Sequence, residues 1–332
     1  MTGRRIWRAA RIAAAGMTAL AVVACGQEGV IESKPDLSPE AERAAREALY
    51  NEAIAAAEAS RGAGEPAVWT LADEDTTIRI MGTVHLLRPD LEWRTPTVDA
   101  ALAEADTLVF EADVNSPEAG REAITFVTQK GVFQDGRQLT SLLDEAEKAE
   151  LQAALDYLGV PLGAIQTFRP WYAAITLSVM QMQKDGFDSA AGVEQVLERE
   201  GRADGKSFAY FETIDQQLGR FADLPDEGQV DFLIGTAESV EEGTAMMDLL
   251  VSEWEDGDVA GLGALMSNPE MMGSQEVYDA LLRERNEDWV PQIEAMLDDP
   301  GTVLIAVGAG HLAGRDSVIE LLRAKGYEVE GP

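Results

Sequence analysis

Residues 81–87 read MGTVHLL and residues 306–314 read AVGAGHLAG, and these stretches carry the only two histidines of a 332-residue chain. His85 and His311 each follow a glycine by three positions. Each glycine, Gly82 and Gly308, closes an apolar run, Ile78 to Met81 and Val303 to Val307. Such short apolar runs read as buried strands. Glycine permits a sharp exit from a strand, so both histidines are expected at the C-terminal edge of a sheet, where open α/β sheets bind ligands. If the two strands run parallel in one sheet, the histidines converge despite the 226 positions between them.

Working outward, Val68 to Leu71 and Thr77 to Met81 flank the acidic turn Ala72 to Asp75, the pattern of a hairpin. Asp106 to Asp113 (DTLVFEAD) reads as a buried strand after a helical stretch at Thr97 to Ala105, and Ser207 to Glu212 (SFAYFE) as another. Residues 139–200 are helical, with breaks near Gly159-Val160-Pro161 and Arg169-Pro170; residues 215–298 are helical, with breaks at Gly257 and Pro269. Thr302 to Val307 is a strand, Arg315 to Lys325 a helix and Tyr327 to Glu330 a last short strand. Strands interleaved with helices imply an α/β fold: a mixed, partly parallel central sheet, flanking helices and a large helical insertion.

The N-terminus is read separately. Arg4, Arg5, Arg8 and Arg11 precede the uncharged run Ile12 to Ala24, which is shorter than the ~20 residues that span a bilayer. The run ends in Val22-Val23-Ala24-Cys25, which resembles a bacterial lipobox. Residues 1–24 are therefore expected to be a lipoprotein signal peptide, with Cys25, the chain's only cysteine, as the acylated anchor. Residues 25–65 supply a linker and an Ala/Glu/Arg-rich helix that opens with Ser38-Pro39 and stops at Gly62; residues 66–332 form the catalytic body. Gly26 after the cysteine is not the aspartate of inner-membrane retention, so the expected location is the outer membrane, facing the periplasm. Formal net charge is -34, and loss of the signal peptide's four arginines takes it to -38. Such a surface repels nucleic acid, and it leaves membrane attachment to the acyl chains alone.

Two histidines need partners to make a site. Glu111 and Glu212 end apolar strands and are expected at the same sheet edge. Two imidazoles with one carboxylate suit Mn, Fe, Co or Zn with open positions for water, which makes His85, Glu111 and His311 candidate metal ligands. Glu212 is then a general base or an additional ligand. Arg94, nine residues past His85, and Arg285, followed by Asn286, are candidates to steady a developing oxyanion. Trp254 and Trp289 read as packing anchors.

From Pro66 to Glu330 the chain resembles the TraB/GumN family, which includes the Tiki metalloproteases. The resemblance rests on an ordered set: PAVWTLADEDTTIRIMGTVHLL, ADTLVFEAD, Pro170-Trp171, GVEQVL at 192–197, GKSFAYFET with Gln217-Leu218, Trp254 with Gly257-Asp258, Arg285-Asn286 with Trp289, and VGAGHLAGRDSVIELLRAKGY. It implies that His85, His311 and Glu111 are active-site residues, and, for the Tiki relatives, a peptidase using manganese or cobalt. Erythromycin esterases are more distantly similar and imply a histidine base with a nearby glutamate and arginine, for which Arg94 matches by position. The ChaN-like lipoproteins share the fold and are associated with haem. One departure is Glu194, which stands where the family motif carries aspartate.

The leading expectation is thus a lipid-anchored, metal-dependent hydrolase acting on peptides. The first alternative is a metal-free esterase or lactonase with His85 as base, oriented by Glu111. The second is a lipoprotein that binds haem or a partner protein, with Tyr172 and Tyr210 as further axial candidates.

Overall fold

The computed structural model describes residues 39–240, 243–267 and 275–332. The proposed signal peptide, Cys25, Ser38 and the break at Pro269 lie outside the described residues. The helix after Ser38 spans Pro39–Ala59.

Six strands form one sheet: β1 Val68–Ala72, β2 Thr76–Thr83, β3 Thr107–Ala112, β4 Ser207–Glu212, β5 Gly301–Gly308 and β6 Val329–Glu330. Their order is β4-β3-β5-β2-β1-β6. β1 and β2 form the antiparallel hairpin across the acidic turn, where Asp73 Oδ1 accepts from the Thr76 amide at 2.8 Å. β2, β5, β3 and β4 run parallel, and β6 is antiparallel to β1. The decisive pairing is β2 with β5, in register from Thr76 opposite Gly301 to Thr83 opposite Gly308. It brings the two Gly-x-x-His segments to neighbouring exits on one sheet edge.

Both sheet faces are covered, as the continuous apolar character of the parallel strands requires. Met81, Leu108, Phe110, Leu304 and Ala306 pack beneath the helices Pro96–Glu104, Val193–Ala203 and Gly243–Asp256. Ile80, Val109, Ile305 and Val307 pack against the helices Glu284–Met296 and Val318–Ala324 on the other face. Local signals set the boundaries. Thr95 caps the first of these helices with Pro96 in its first turn, and Gly159, at φ 71°, ends the helix Glu145–Leu158.

The helices of the insertion divide into two groups by what they pack against. Glu145–Leu158, Pro170–Lys184 and Asp226–Ser239 share a core of their own around Leu151, Leu177 and Leu233. Val193–Ala203 and Glu284–Met296 instead spend their apolar faces on the sheet, and Gly243–Asp256 divides its own between the sheet side and the N-terminal helix. A run of helices read by periodicity does not reveal which surface each helix covers.

Candidate functional site

Each strand exit delivers one side chain. Glu111 is the penultimate residue of β3, Glu212 is the last of β4, His85 follows β2 by two residues, and His311 closes the single 3-10 turn Ala309–His311 after β5. The helix Glu284–Met296 brings Arg285 and Asn286 over the same edge. It follows a π-helical turn at Asp279–Arg283. Such widened turns shift the helix phase and recur at functional sites.

Arg285 is the centre of the cluster and only 7% exposed. Its Nη2 donates to Glu111 Oε2 at 2.6 Å and to Glu212 Oε2 at 2.8 Å, and Nε donates to Glu212 Oε1 at 2.8 Å. The bidentate fork to Glu212 is the geometry that fixes a guanidinium most firmly. The Trp289 indole N–H also donates to Glu212 Oε1, at 3.2 Å, and the Arg285 guanidinium carbon lies 4.8 Å above the Trp289 ring. Burial disfavours the charge on Arg285, but Glu111 and Glu212 outweigh it and raise its pKa.

His311 is buried, 4.3 Å from the Trp289 ring centroid. Asn286 Nδ2 donates to the Asp316 carbonyl, so its Oδ1 accepts from His311 Nδ1–H at 2.6 Å. His311 Nε2 then accepts from Arg285 Nη1, 3.0 Å away. Burial pushes this imidazole down to about 3, and it is neutral at physiological pH. Glu111 is buried too, which by itself would raise its pKa. His311, Arg285 and His85 together overcome that and hold it well below the usual carboxylate range. Its Oε1 accepts from the Gly308 amide at 2.8 Å, and Gln217 Nε2 donates to its Oε2 at 3.3 Å. Gln217 is placed by the Thr213–Gln216 capping box that starts a helix directly after Glu212.

His85 differs from His311 in exposure and in the direction of its pKa shift. Its side chain is 60% exposed, and its Nδ1 lies 2.6 Å from Glu194 Oε1. Thr83 Oγ1 donates to the same carboxylate oxygen. The charge of Glu194, above all, and then its hydrogen bond to the ring raise His85 to about 9. The contact depends on Gly192, where a β-carbon would overlap the His85 carbonyl. The Val193 amide also donates to the Val84 carbonyl, at 3.1 Å. The Trp254 indole, 2.9 Å from the Gly82 carbonyl, holds the segment from the other side. Gly308 keeps the middle open: a β-carbon there would stand 3.0 Å from Glu111 Oε1, 3.6 Å from His311 Cδ2 and 3.7 Å from His85 Nε2.

Of the residues expected from sequence, His85, Glu111, Glu212, Arg285, Asn286 and His311 meet at this edge, with Gly82 and Gly308 beneath. Arg94 does not. It bonds Asp99 at 2.6 Å and Glu200 at 2.7 Å. Glu200 is six residues along the helix from Glu194, about 9 Å at helical rise. Two role assignments also change. Glu194, not Glu111, orients His85, and Glu212 is bound by Arg285 and Trp289, so it is not free as a base. Tyr172 packs against Phe168 and Trp171, and the Tyr210 hydroxyl lies 3.5 Å from Arg202. Thr83 and Gln217 as site partners were not read from the sequence.

A divalent metal is tested by the donors. His311 Nε2 and Glu111 Oε2 already accept from Arg285. Among the described residues no three His, Cys, Asp or Glu side chains are grouped as ligands around one point. As arranged, the residues do not fit a metal bound by His85, Glu111 and His311, because a guanidinium holds the lone pairs that the ion would need.

The sequence profile of the TraB/PrgY/gumN family matches residues 67–331. This chain belongs to the TraB/PrgY/gumN family. Similar proteins include the uncharacterised protein YbaP of Escherichia coli (strain K12), 25% identical over 244 residues, 74% of this chain and 87% of YbaP. YbaP of Shigella flexneri matches equally. An uncharacterised protein of Treponema pallidum (strain Nichols) is 20% identical over 194 residues, 55% of this chain and 58% of that protein. No solved structure matches. The match of this TraB/PrgY/gumN member begins just before β1 and ends in the last residues after β6, so it takes in every residue of the site.

Proposed function

We propose that this TraB/PrgY/gumN protein is a hydrolase of acyl bonds in which His85 transfers the proton and Glu194 orients it. The observation that carries this reading is the His85 Nδ1 to Glu194 Oε1 contact of 2.6 Å on a side chain that is 60% exposed. A carboxylate on one ring nitrogen fixes the tautomer and leaves the other to a substrate. Arg285 spends its N–H groups on Glu111, Glu212, His311 and the Leu281 carbonyl, so it holds the edge beside His85 rigid and has no donor left to meet an oxyanion. His85 must shed its proton before it can act as a base, so the rate should climb with pH towards about 9.

The test is hydrolysis of ester and peptide panels by the full chain after exhaustive chelation. Loss of turnover by about 10²–10⁴-fold in His85→Ala is the expected result. Turnover equal to wild type in that variant removes His85 from the chemistry.

The second reading is the metal-dependent peptidase, with manganese or cobalt preferred and zinc or iron as alternatives. It is favoured by one feature: both histidines have Nδ1 tied to a side-chain oxygen, the arrangement that supports a ligating Nε2. It needs Arg285 to release His311 and Glu111. Activity abolished by chelation and restored by Mn would select it. A haem reading would require a Soret band on titration.

We also propose acylation at Cys25 and a periplasm-facing outer-membrane location, supported by the lipobox-like VVAC and by Gly26, not aspartate, after the cysteine. Failure of Cys25→Ser to release the protein from membranes would end that proposal.

A further inference from the structure

Away from the histidines, two more carboxyl groups are buried side by side at a corner of the fold. Glu253 lies near the end of the helix Gly243–Asp256. Asp258 caps the next helix, Val259–Met266, with Oδ1 2.8 Å from the Gly261 amide. Glu253 is 7% exposed and Asp258 is 2% exposed. Both crowd the backbone of Gly261, where a β-carbon would stand 2.9 Å from Glu253 Cδ and 3.2 Å from Asp258 Cγ. Asp258 Oδ2 is buried and receives no hydrogen bond. A buried carboxylate oxygen without a donor, beside a second carboxylate, is costly unless something stands between them.

We propose that Glu253 and Asp258 share one proton, the Glu253 carboxyl donating to Asp258 Oδ2, and that this proton locks the corner gripping the segment that leads in from the N-terminal helix. Burial together with Asp258 pushes Glu253 up to about 6. The other charged groups facing it are Arg61, which is exposed and donates to the Glu58 and Ser60 carbonyls, and Asp256. Asp256 accepts from the Gly62 amide through Oδ2 at 2.7 Å and from the Gly64 amide through its carbonyl at 2.9 Å. Gly257, at φ 70°, turns the chain where a side chain would strike the Glu65 carbonyl. Trp254, next to Glu253, is the residue that holds the Gly82 carbonyl, so the corner also carries one support of the His85 segment. A shared proton suits the pair better than a shared cation, because among the described residues no third acid or histidine is grouped with them as a ligand.

The sign follows from linkage. A carboxyl whose folded pKa is raised contributes stability below its unfolded value of 4.5 and loses it as pH rises through about 6. An amide at either position supplies the donor permanently. Thermal unfolding of the full chain is therefore compared for wild type, Glu253→Gln and Asp258→Asn at pH 5 and pH 8. Each variant is expected to raise the midpoint by about 2–4 °C at pH 8 and to leave it nearly unchanged at pH 5. Lower midpoints at both pH values overturn the proposal. So does a rise of the wild-type midpoint with millimolar Ca or Mg at pH 8 that Glu253→Gln abolishes, since a cation would then bridge the pair. Should both variants fail to fold, carboxyl ¹³C NMR of Glu-labelled wild-type chain decides: one glutamate titrating near 6 supports the shared proton, and none above the ordinary range overturns it.

Discussion

Arg285 Nη2 lies 2.6 Å from Glu111 Oε2, and no other cation in the site reaches that carboxylate as closely. The same guanidinium holds Glu212. Removing it leaves two buried carboxylates without their counter-ion. Arg285→Leu should cost about 3–5 kcal/mol, read as a lower midpoint in denaturant unfolding. A midpoint equal to wild type would show that the cluster contributes nothing net to stability.

A chain with two histidines gives two imidazole signals, and they are expected to behave oppositely. In ¹⁵N NMR one should titrate near 9, and it should move towards the ordinary value in Glu194→Gln; the other should stay neutral down to about 3. Because the folded pKa of His85 is raised, its stabilisation is present below its unfolded value of 6.5 and is lost as pH rises through about 9. Because that of His311 is lowered, its stabilisation is present above 6.5 and is lost as pH falls towards 3. Two signals titrating together near 6.5 would contradict both assignments.

Gly308→Ala places a methyl group among Glu111, His311 and His85. Overpacking of this kind costs about 1–3 kcal/mol, but the methyl also fills the one point that all three side chains approach. Turnover should fall by far more than thermal stability does. Full activity in a folded Gly308→Ala chain would place the reaction elsewhere.

Arg94→Ala tests the position of Arg94 outside the site. Its ion pairs with Asp99 and Glu200 are partly exposed and worth about 0–1 kcal/mol. Activity and unfolding midpoint should both stay near wild type, and a large loss of turnover would return Arg94 to the site.

These outcomes also mark what the sequence could reveal. The strands were legible because parallel, doubly covered strands are short apolar runs, and Ser207–Glu212 matches its expected boundaries. Glu111, Glu212 and the two histidines were legible because each ends or follows such a run. Glu194 was not legible as the partner of His85. It begins a helix more than a hundred residues away, and only the close approach of Gly192 to the His85 backbone brings it there. Arg94 misled because nearness in sequence to His85 says nothing about direction once the chain turns into a helix at Pro96. Arg285 could be named as a candidate, but its central place depends on a π-helical turn that periodicity does not announce.

The pairing of β2 with β5 has a consequence for how the protein is made. β2 ends at Thr83 and β5 starts at Gly301, so the two strands meet only after almost the whole chain has been synthesised and the long loop between them has closed. Contacts of such sequence separation form late, because their closure entropy must be met before they stabilise anything. His85 can fold early against Glu194, but Arg285 and His311 arrive last. A nascent chain therefore carries no assembled centre, and whatever chemistry this edge performs starts only when the C-terminal strand is in place.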